Sequence, residues 1–196
     1  MNLPNRLFFT GVPGSRWSGI AQTLETCQAF NTSDRTETRK YEHGSFSGHL
    51  GAYFGRGMEF EPELNEQNLN APWIDFATPT KIIKSHDWAY KLLEVEKFAK
   101  QSGDWLMIVH RDPESSYDWW VKAGGFDIKY PSYESYKNLP FMRTQIGLQT
   151  LLIEKFVHDR NLILSPFNSD WVKLNFGLDI LVDTSKLTDI KVTLLK

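Results

Sequence analysis

The chain predicts an α/β fold, with a central, mainly parallel sheet flanked by helices. Three observations predict it. Short apolar runs, such as Leu7-Phe8-Phe9, Ile82-Ile83 and Leu106-Met107-Ile108-Val109, have the length and composition of buried strands. Segments with helical spacing follow them in alternation, which is the pattern of a parallel sheet with crossover helices. The junctions carry turn and cap residues: Gly11-Val12-Pro13-Gly14-Ser15, Ser85-His86-Asp87 and Arg111-Asp112-Pro113.

Taken in order, residues 6–11 read as a short buried strand. Residues 15–30 read as a helix with Ile20, Ala21, Leu24 and Cys27 on one face. Residues 31–47 are polar and turn-rich, a surface excursion with the character of a lid. Residues 48–72 mix Gly, Pro and acidic residues without a clear period. Lys81-Ile82-Ile83-Lys84 begins a second strand, Trp88 to Lys100 reads as a helix, and Gly103 ends it. Asp104 to His110 is the strongest strand. A helix begins near Pro113, with Asp112 as its cap and Pro at a first helical position. Residues 124–140 are rich in Gly, Tyr and Pro and read as a loop or small subdomain. Arg143 to His158 is an amphipathic helix, and Asn161 to Leu164 a fourth strand. Residues 170–177 form a short helix or turn, and the tail after Asp179 adds a strand. With no internal repeat, low-complexity tract or linker, residues 1–196 read as one domain.

Composition narrows the function. Hydrophobic residues make up 41% and charged residues 23%, the balance of a soluble globular protein. The net charge of −2 gives no global basic field, which argues against a nucleic-acid partner and requires any anion site to be local. The single cysteine, Cys27, excludes an intramolecular disulfide and a cysteine-based zinc cluster. The first apolar run is only a strand long and no run is long enough to span a bilayer. The expectation is a soluble cytoplasmic protein with no membrane partner. Seven tryptophans are many for this length, and Trp119, Trp120, Tyr130, Tyr133 and Tyr136 cluster. They read as packing residues or as an aromatic wall around a ligand.

The chemistry lies at the strand ends, where ligands bind in such sheets. The first strand enters Gly11 to Ser18, a Gly/Pro/Ser turn that opens a helix. Its backbone N–H groups and the helix N-terminus suit a phosphate. The length is that of a Walker A loop, but Arg16 and Trp17 stand where an ATP-binding loop has Gly and Lys. The second strand ends in Lys84-Ser85-His86, with Lys84 and His86 two residues apart and able to face one pocket. The third ends in His110-Arg111-Asp112-Pro113, with Ser115 and Ser116 just inside the next helix.

In this order the three motifs resemble the sulfotransferases that use 3′-phosphoadenosine 5′-phosphosulfate (PAPS). Gly11-Val12-Pro13-Gly14-Ser15-Arg16-Trp17-Ser18 is similar to their G-V-P-x-S-G-T-T loop. Lys84-Ser85-His86 looks like their lysine, small residue and histidine. Arg111-Asp112-Pro113 looks like their R-[DN]-P strand end. The resemblance covers roughly residues 6 to 120, with an echo at Trp171 to Leu178. It implies a P-loop-like, three-layer fold and a donor site at Pro13, Gly14, Ser15, Arg16, Trp17, Ser18, Arg111, Ser115 and Ser116. Arg16, Ser18 and the loop N–H groups would hold the 5′-phosphosulfate, and Arg111 the 3′-phosphate. His86 would take the acceptor's hydroxyl proton, with an imidazole near its ordinary pKa of about 6.5 suited to that work. Lys84 would steady the sulfuryl and bridging oxygens. PAPS is the implied donor, its desulfated form PAP the product, a small molecule or carbohydrate the acceptor, and no metal is required.

The chain departs from the pattern in identifiable places. Gly14 stands where family members commonly carry a basic residue, and Arg16 can supply that charge. The serine that assists the 3′-phosphate, two helical turns after the Arg, is replaced by Trp119, with Ser115 or Ser116 one turn earlier. Asp112 and Glu114 are competing partners for Arg111. Two other readings stay beside the first: a P-loop nucleotide or small-molecule kinase, and a non-catalytic binding or interaction protein that keeps the fold.

Overall fold

Strand β1 (Arg6–Thr10) is buried along its whole length and stands at the centre of the sheet. The computed structural model describes residues 2–31, 52–55, 60–73, 79–123 and 138–196. The expected excursion at 31–47 and the loop at 124–140 fall almost wholly outside them. Helix α1 (Trp17–Glu25) follows β1, and the two-residue strands β2 (Phe30–Asn31) and β3 (Ala52–Tyr53) come next. Then come α2 (Glu66–Asn70), β4 (Thr80–Lys84), a 3-10 turn at Asp87–Lys91 and α3 (Leu92–Ser102). Strand β5 (Trp105–His110), α4 (Pro113–Lys122) and α5 (Leu139–Asp159) follow. The chain ends with β6 (Ser165–Pro166), α6 (Ser169–Phe176), a 3-10 turn at Thr184–Lys186 and β7 (Lys191–Leu195).

The fold is mixed α/β, which corrects the expectation of a mainly parallel sheet. The order is β2-β4-β1-β5-β7-β6, with β3 also pairing along β4. The pairs β1–β4, β1–β5, β2–β4 and β3–β4 are parallel. The tail strand β7 then lies antiparallel to β5, from Leu106↔Leu195 to His110↔Lys191, and β6 is antiparallel to β7. A tail returning after α6 reaches β5 without a crossover helix, and a parallel neighbour would need one.

The pleat sends alternate side chains to two cores. Leu7, Phe9, Trp105, Met107 and Val109 join the α1 and α6 side with Ile20, Leu24 and Phe176. Phe8, Leu106 and Ile108 join the α3 and α5 side with Val95, Ala99 and Ile153. Helices therefore cover both faces.

Element ends follow local chemistry. Asp112 caps α4 by accepting from the Ser115 N–H at 2.8 Å, and Gly103 ends α3 at φ 72°. Three expectations are corrected. Helix α1 stops at Glu25 rather than 30, because the Thr26 hydroxyl folds back on the Thr23 carbonyl and Phe30 must reach the edge of β4. Cys27 therefore lies beyond the helix, partly buried against the core. Asn161 to Leu164 is not a strand: Leu162 and Leu164 pack on the core, Ile163 points to solvent, and Leu162 N–H bonds back to Val157 O. The alternation is satisfied without a ladder, and the strand is instead Ser165–Pro166 at the sheet edge.

Candidate functional site

Strands β4, β1 and β5 are adjacent and parallel, so their carboxyl ends share one edge of the sheet. The three sequence motifs follow these strands. Ser165-Pro166 forms the edge strand β6, separated from β5 by β7 and level with Val109 and His110 at the carboxyl end of β5.

The loop after β1 turns tightly. Ser15 N–H donates to Val12 O at 3.1 Å, with Pro13 second and Gly14 third at φ 78°, the composition of a type II turn. Gly14 is required there, because a Cβ would lie 1.8 Å from the Ser116 carbonyl oxygen on α4. Arg16 follows at φ 66° and starts α1 without a side-chain cap. A left-handed non-glycine residue costs about 1 kcal/mol, so something must hold it. The Arg16 guanidinium lies over the Trp119 ring, 3.9 Å from its centroid.

Trp17 turns the other way, into the core at 3% exposure. Its ring stacks on His86, with centroids 3.9 Å apart and planes 19° from parallel, and Tyr53 meets the same imidazole edge-on at 5.4 Å. His86 Nδ1 lies 2.6 Å from Gly11 O. A carbonyl only accepts, so Nδ1 carries the proton and Nε2 bears the lone pair. The α5 residue Gln149 donates to His86 O at 3.4 Å. Burial, and then the charge of Lys84, push the His86 pKa down to about 3, with the Gly11 hydrogen bond opposing them. The expectation of an ordinary imidazole pKa is corrected by this burial: the ring is neutral at pH 7 but weakly basic. Lys84 is itself buried, at 1% exposure, and its charge is felt at His86, so the two do share one environment.

Arg111 is held differently from expectation. Neither Asp112 nor Glu114 takes it. Its Nε–H donates to Asp189 Oδ2 at 2.6 Å and its Nη1 to Gly14 O at 3.1 Å, tying β5 to the loop. Burial, and then Arg111, lower the Arg16 pKa from its ordinary value, and Asp189 opposes them. Ser115 gives its N–H to the Asp112 cap and is partly exposed. Ser116 is fully buried, and its hydroxyl, like that of Ser15, has no hydrogen-bond partner among the described residues. Pro13 is buried, and Gly14 and Ser18 are partly exposed.

The strand ends thus form two clusters joined by one loop. Gly11, Trp17, Tyr53, Lys84 and His86 make the first, and Gly14, Arg16, Arg111, Trp119 and Asp189 the second. Sequence reasoning missed Asp189 and Gln149. Asp189 was findable from the tail strand: the register His110↔Lys191 carries it to the Arg111-Asp112 end of β5. Gln149 left no signal, being one polar position in a long helix.

Among the described residues no group of three or more His, Cys, Asp or Glu side chains is placed to hold a metal ion. No described helix is long and apolar enough to cross a membrane. No family model, curated protein or solved structure matches the chain.

Proposed function

We propose that this chain is a PAPS-dependent sulfotransferase with a P-loop-like fold, acting on a hydroxyl of a small molecule or carbohydrate. The observation that carries this reading is the bond from His86 Nδ1 to Gly11 O at 2.6 Å. It couples the phosphate-type loop to the His86 imidazole and leaves Nε2 as the proton acceptor.

In the proposed reaction the acceptor oxygen forms its bond to sulfur as the bond from sulfur to the 5′-phosphate oxygen breaks. The hydroxyl proton passes to His86 Nε2, and the electron pair leaves on the phosphate of PAP. Charge grows on the bridging and sulfuryl oxygens, where Lys84 and the loop N–H groups are the fitting partners. A weakly basic His86 fits the free protein. An anionic donor beside Lys84 offsets that lysine's charge and raises the affinity of His86 for a proton when the acceptor is in place.

Calorimetric titration with PAP tests the donor, and PAP release from PAPS over a panel of phenols, alcohols and sugars tests transfer. We expect binding without added magnesium, and a His86→Ala protein that still binds PAP but releases it roughly 10²-fold more slowly or worse. Full turnover by His86→Ala sinks the base assignment. Magnesium-dependent ATP hydrolysis without PAP binding replaces the reading with a kinase. One observation favours a second reading, a non-catalytic donor-binding module: Trp17 covers a face of His86. PAP binding with no turnover on the whole panel selects it.

A further inference from the structure

The second cluster does not fit the role that the sequence motif suggests for Arg16. The Arg16 guanidinium lies over Trp119 and feels the charges of Arg111 and Asp189, on the α4 and β7 side of the loop. His86 and Lys84 belong to the other side, with Trp17 and Tyr53. Cationic side chains on two sides of one loop, Lys84 on one and Arg16 with Arg111 on the other, suit a ligand with two separate anionic ends.

The donor inventory points the same way. A guanidinium has five N–H donors. Arg111 commits its Nε–H to Asp189 and one Nη1 donor to Gly14 O. The Arg16 guanidinium has no hydrogen-bond partner among the described residues. Its contact with Trp119 uses the flat face, which leaves the N–H edge available. Asp189 accepts from Arg111 and its charge also reaches Arg16, while Asp112 turns back onto the Ser115 N–H as a helix cap. Lys122 adds a further cation, 5.9 Å from the Trp119 centroid. Planar forks with free edges and an excess of positive charge suit a phosphate monoester.

We infer that Trp119 is a specificity-determining, positioning residue: it holds Arg16 beside Arg111 so that both guanidinium groups bind the 3′-phosphate of the donor. This inference rests on the sulfotransferase reading. Trp119 presents its ring face to the Arg16 guanidinium and acts through it. It replaces a serine hydroxyl with a carried guanidinium. The left-handed backbone at Arg16 is the local cost of aiming that side chain at α4. The 5′-phosphosulfate is then left to the loop N–H groups, Ser18 and Lys84.

The test compares two nucleotides, PAP and adenosine 5′-monophosphate, which differ by the 3′-phosphate. Calorimetric affinities are measured for wild type, Trp119→Ala, Trp119→Phe and Arg16→Ala. Wild type should prefer PAP. Trp119→Ala and Arg16→Ala should weaken PAP roughly tenfold while the monophosphate stays within about twofold, and Trp119→Phe, which keeps a ring face, should retain most of the preference. The monophosphate affinity reports whether each variant has kept a folded loop. Equal loss for both nucleotides, or no change for either, overturns the inference and leaves the sulfotransferase reading standing. Absence of PAP binding to wild type overturns both.

Discussion

At His86 burial and hydrogen bonding oppose each other, and burial wins. The folded pKa is about 3 against an ordinary 6.5. Between those values the unfolded chain binds a proton that the folded chain refuses. Stability therefore rises with pH across this window, is fully present above about 6.5, and is lost as the pH falls toward 3. From pH 7 to pH 5 the loss from this group alone is about 2 kcal/mol. His86→Asn keeps a donor for Gly11 O and does not titrate, so urea unfolding should show its stability falling less than that of wild type over this range, by about the same 2 kcal/mol. Parallel profiles rule the account out. The residue was legible in the sequence because Lys84-Ser85-His86 ends an apolar strand. Its environment was not. Trp17 and Tyr53 come from separate elements, and only the pairing of β1 and β3 with β4 brings them to the imidazole.

Elements whose limits are set by one or two residues were the readable ones. Asp112 with Pro113, and Gly103, fix the start of α4 and the end of α3 by local hydrogen bonding and φ alone. The missed boundaries depend on distant partners: α1 ends where the chain must turn back to β4, and 161–164 lacks a strand to pair with. Gly14 shows the same distinction energetically. Gly14 and Gly103 have nearly the same backbone, φ 78° and 72°. A Cβ at Gly103 meets nothing within 4 Å, whereas one at Gly14 runs into the backbone of α4. Gly103→Ala should cost about 1 kcal/mol, the left-handed penalty. Gly14→Ala should cost at least about twice that, because α4 must also retreat from the loop. Chemical denaturation of the two variants measures the difference, and equal costs contradict the close approach of α4. That approach is also what sets Trp119 against Arg16, so Gly14→Ala should weaken PAP binding while Gly103→Ala leaves it unchanged.

Across the described residues, the candidate site and an ion-pair network occupy opposite ends of the same three parallel strands. The loop, His86 and Arg111 follow the carboxyl ends of β1, β4 and β5. At the amino ends Arg6 begins β1 and Asp104 immediately precedes β5, and the sequence showed each only as an isolated charge. Arg6 donates from Nε to Asp104 Oδ2 at 2.8 Å and from its backbone N–H to Oδ1 at 3.0 Å, and reaches Glu66 Oε1 on α2 at 2.7 Å. Burial pulls the Arg6 pKa down, but Glu66 and Asp104 more than reverse it. The two carboxylates are not equivalent: the Asp104 side chain is 1% exposed and that of Glu66 60%. Removing a buried partner leaves a buried charge uncompensated, whereas an exposed one is replaced by water. Asp104→Ala should therefore destabilise the protein by roughly 3–5 kcal/mol, and Glu66→Ala by about 1 kcal/mol or less. A loss of the first size is a large share of the roughly 5–15 kcal/mol available to a domain. Thermal unfolding measures both. At a temperature where Asp104→Ala remains folded, its affinity for PAP should match wild type, because among the described residues Arg6 and Asp104 make no hydrogen bond to the loop, to His86 or to the Arg16–Arg111 cluster. Comparable stability losses for the two variants contradict the burial argument, and a loss of PAP affinity in folded Asp104→Ala shows that the two ends of the sheet are coupled.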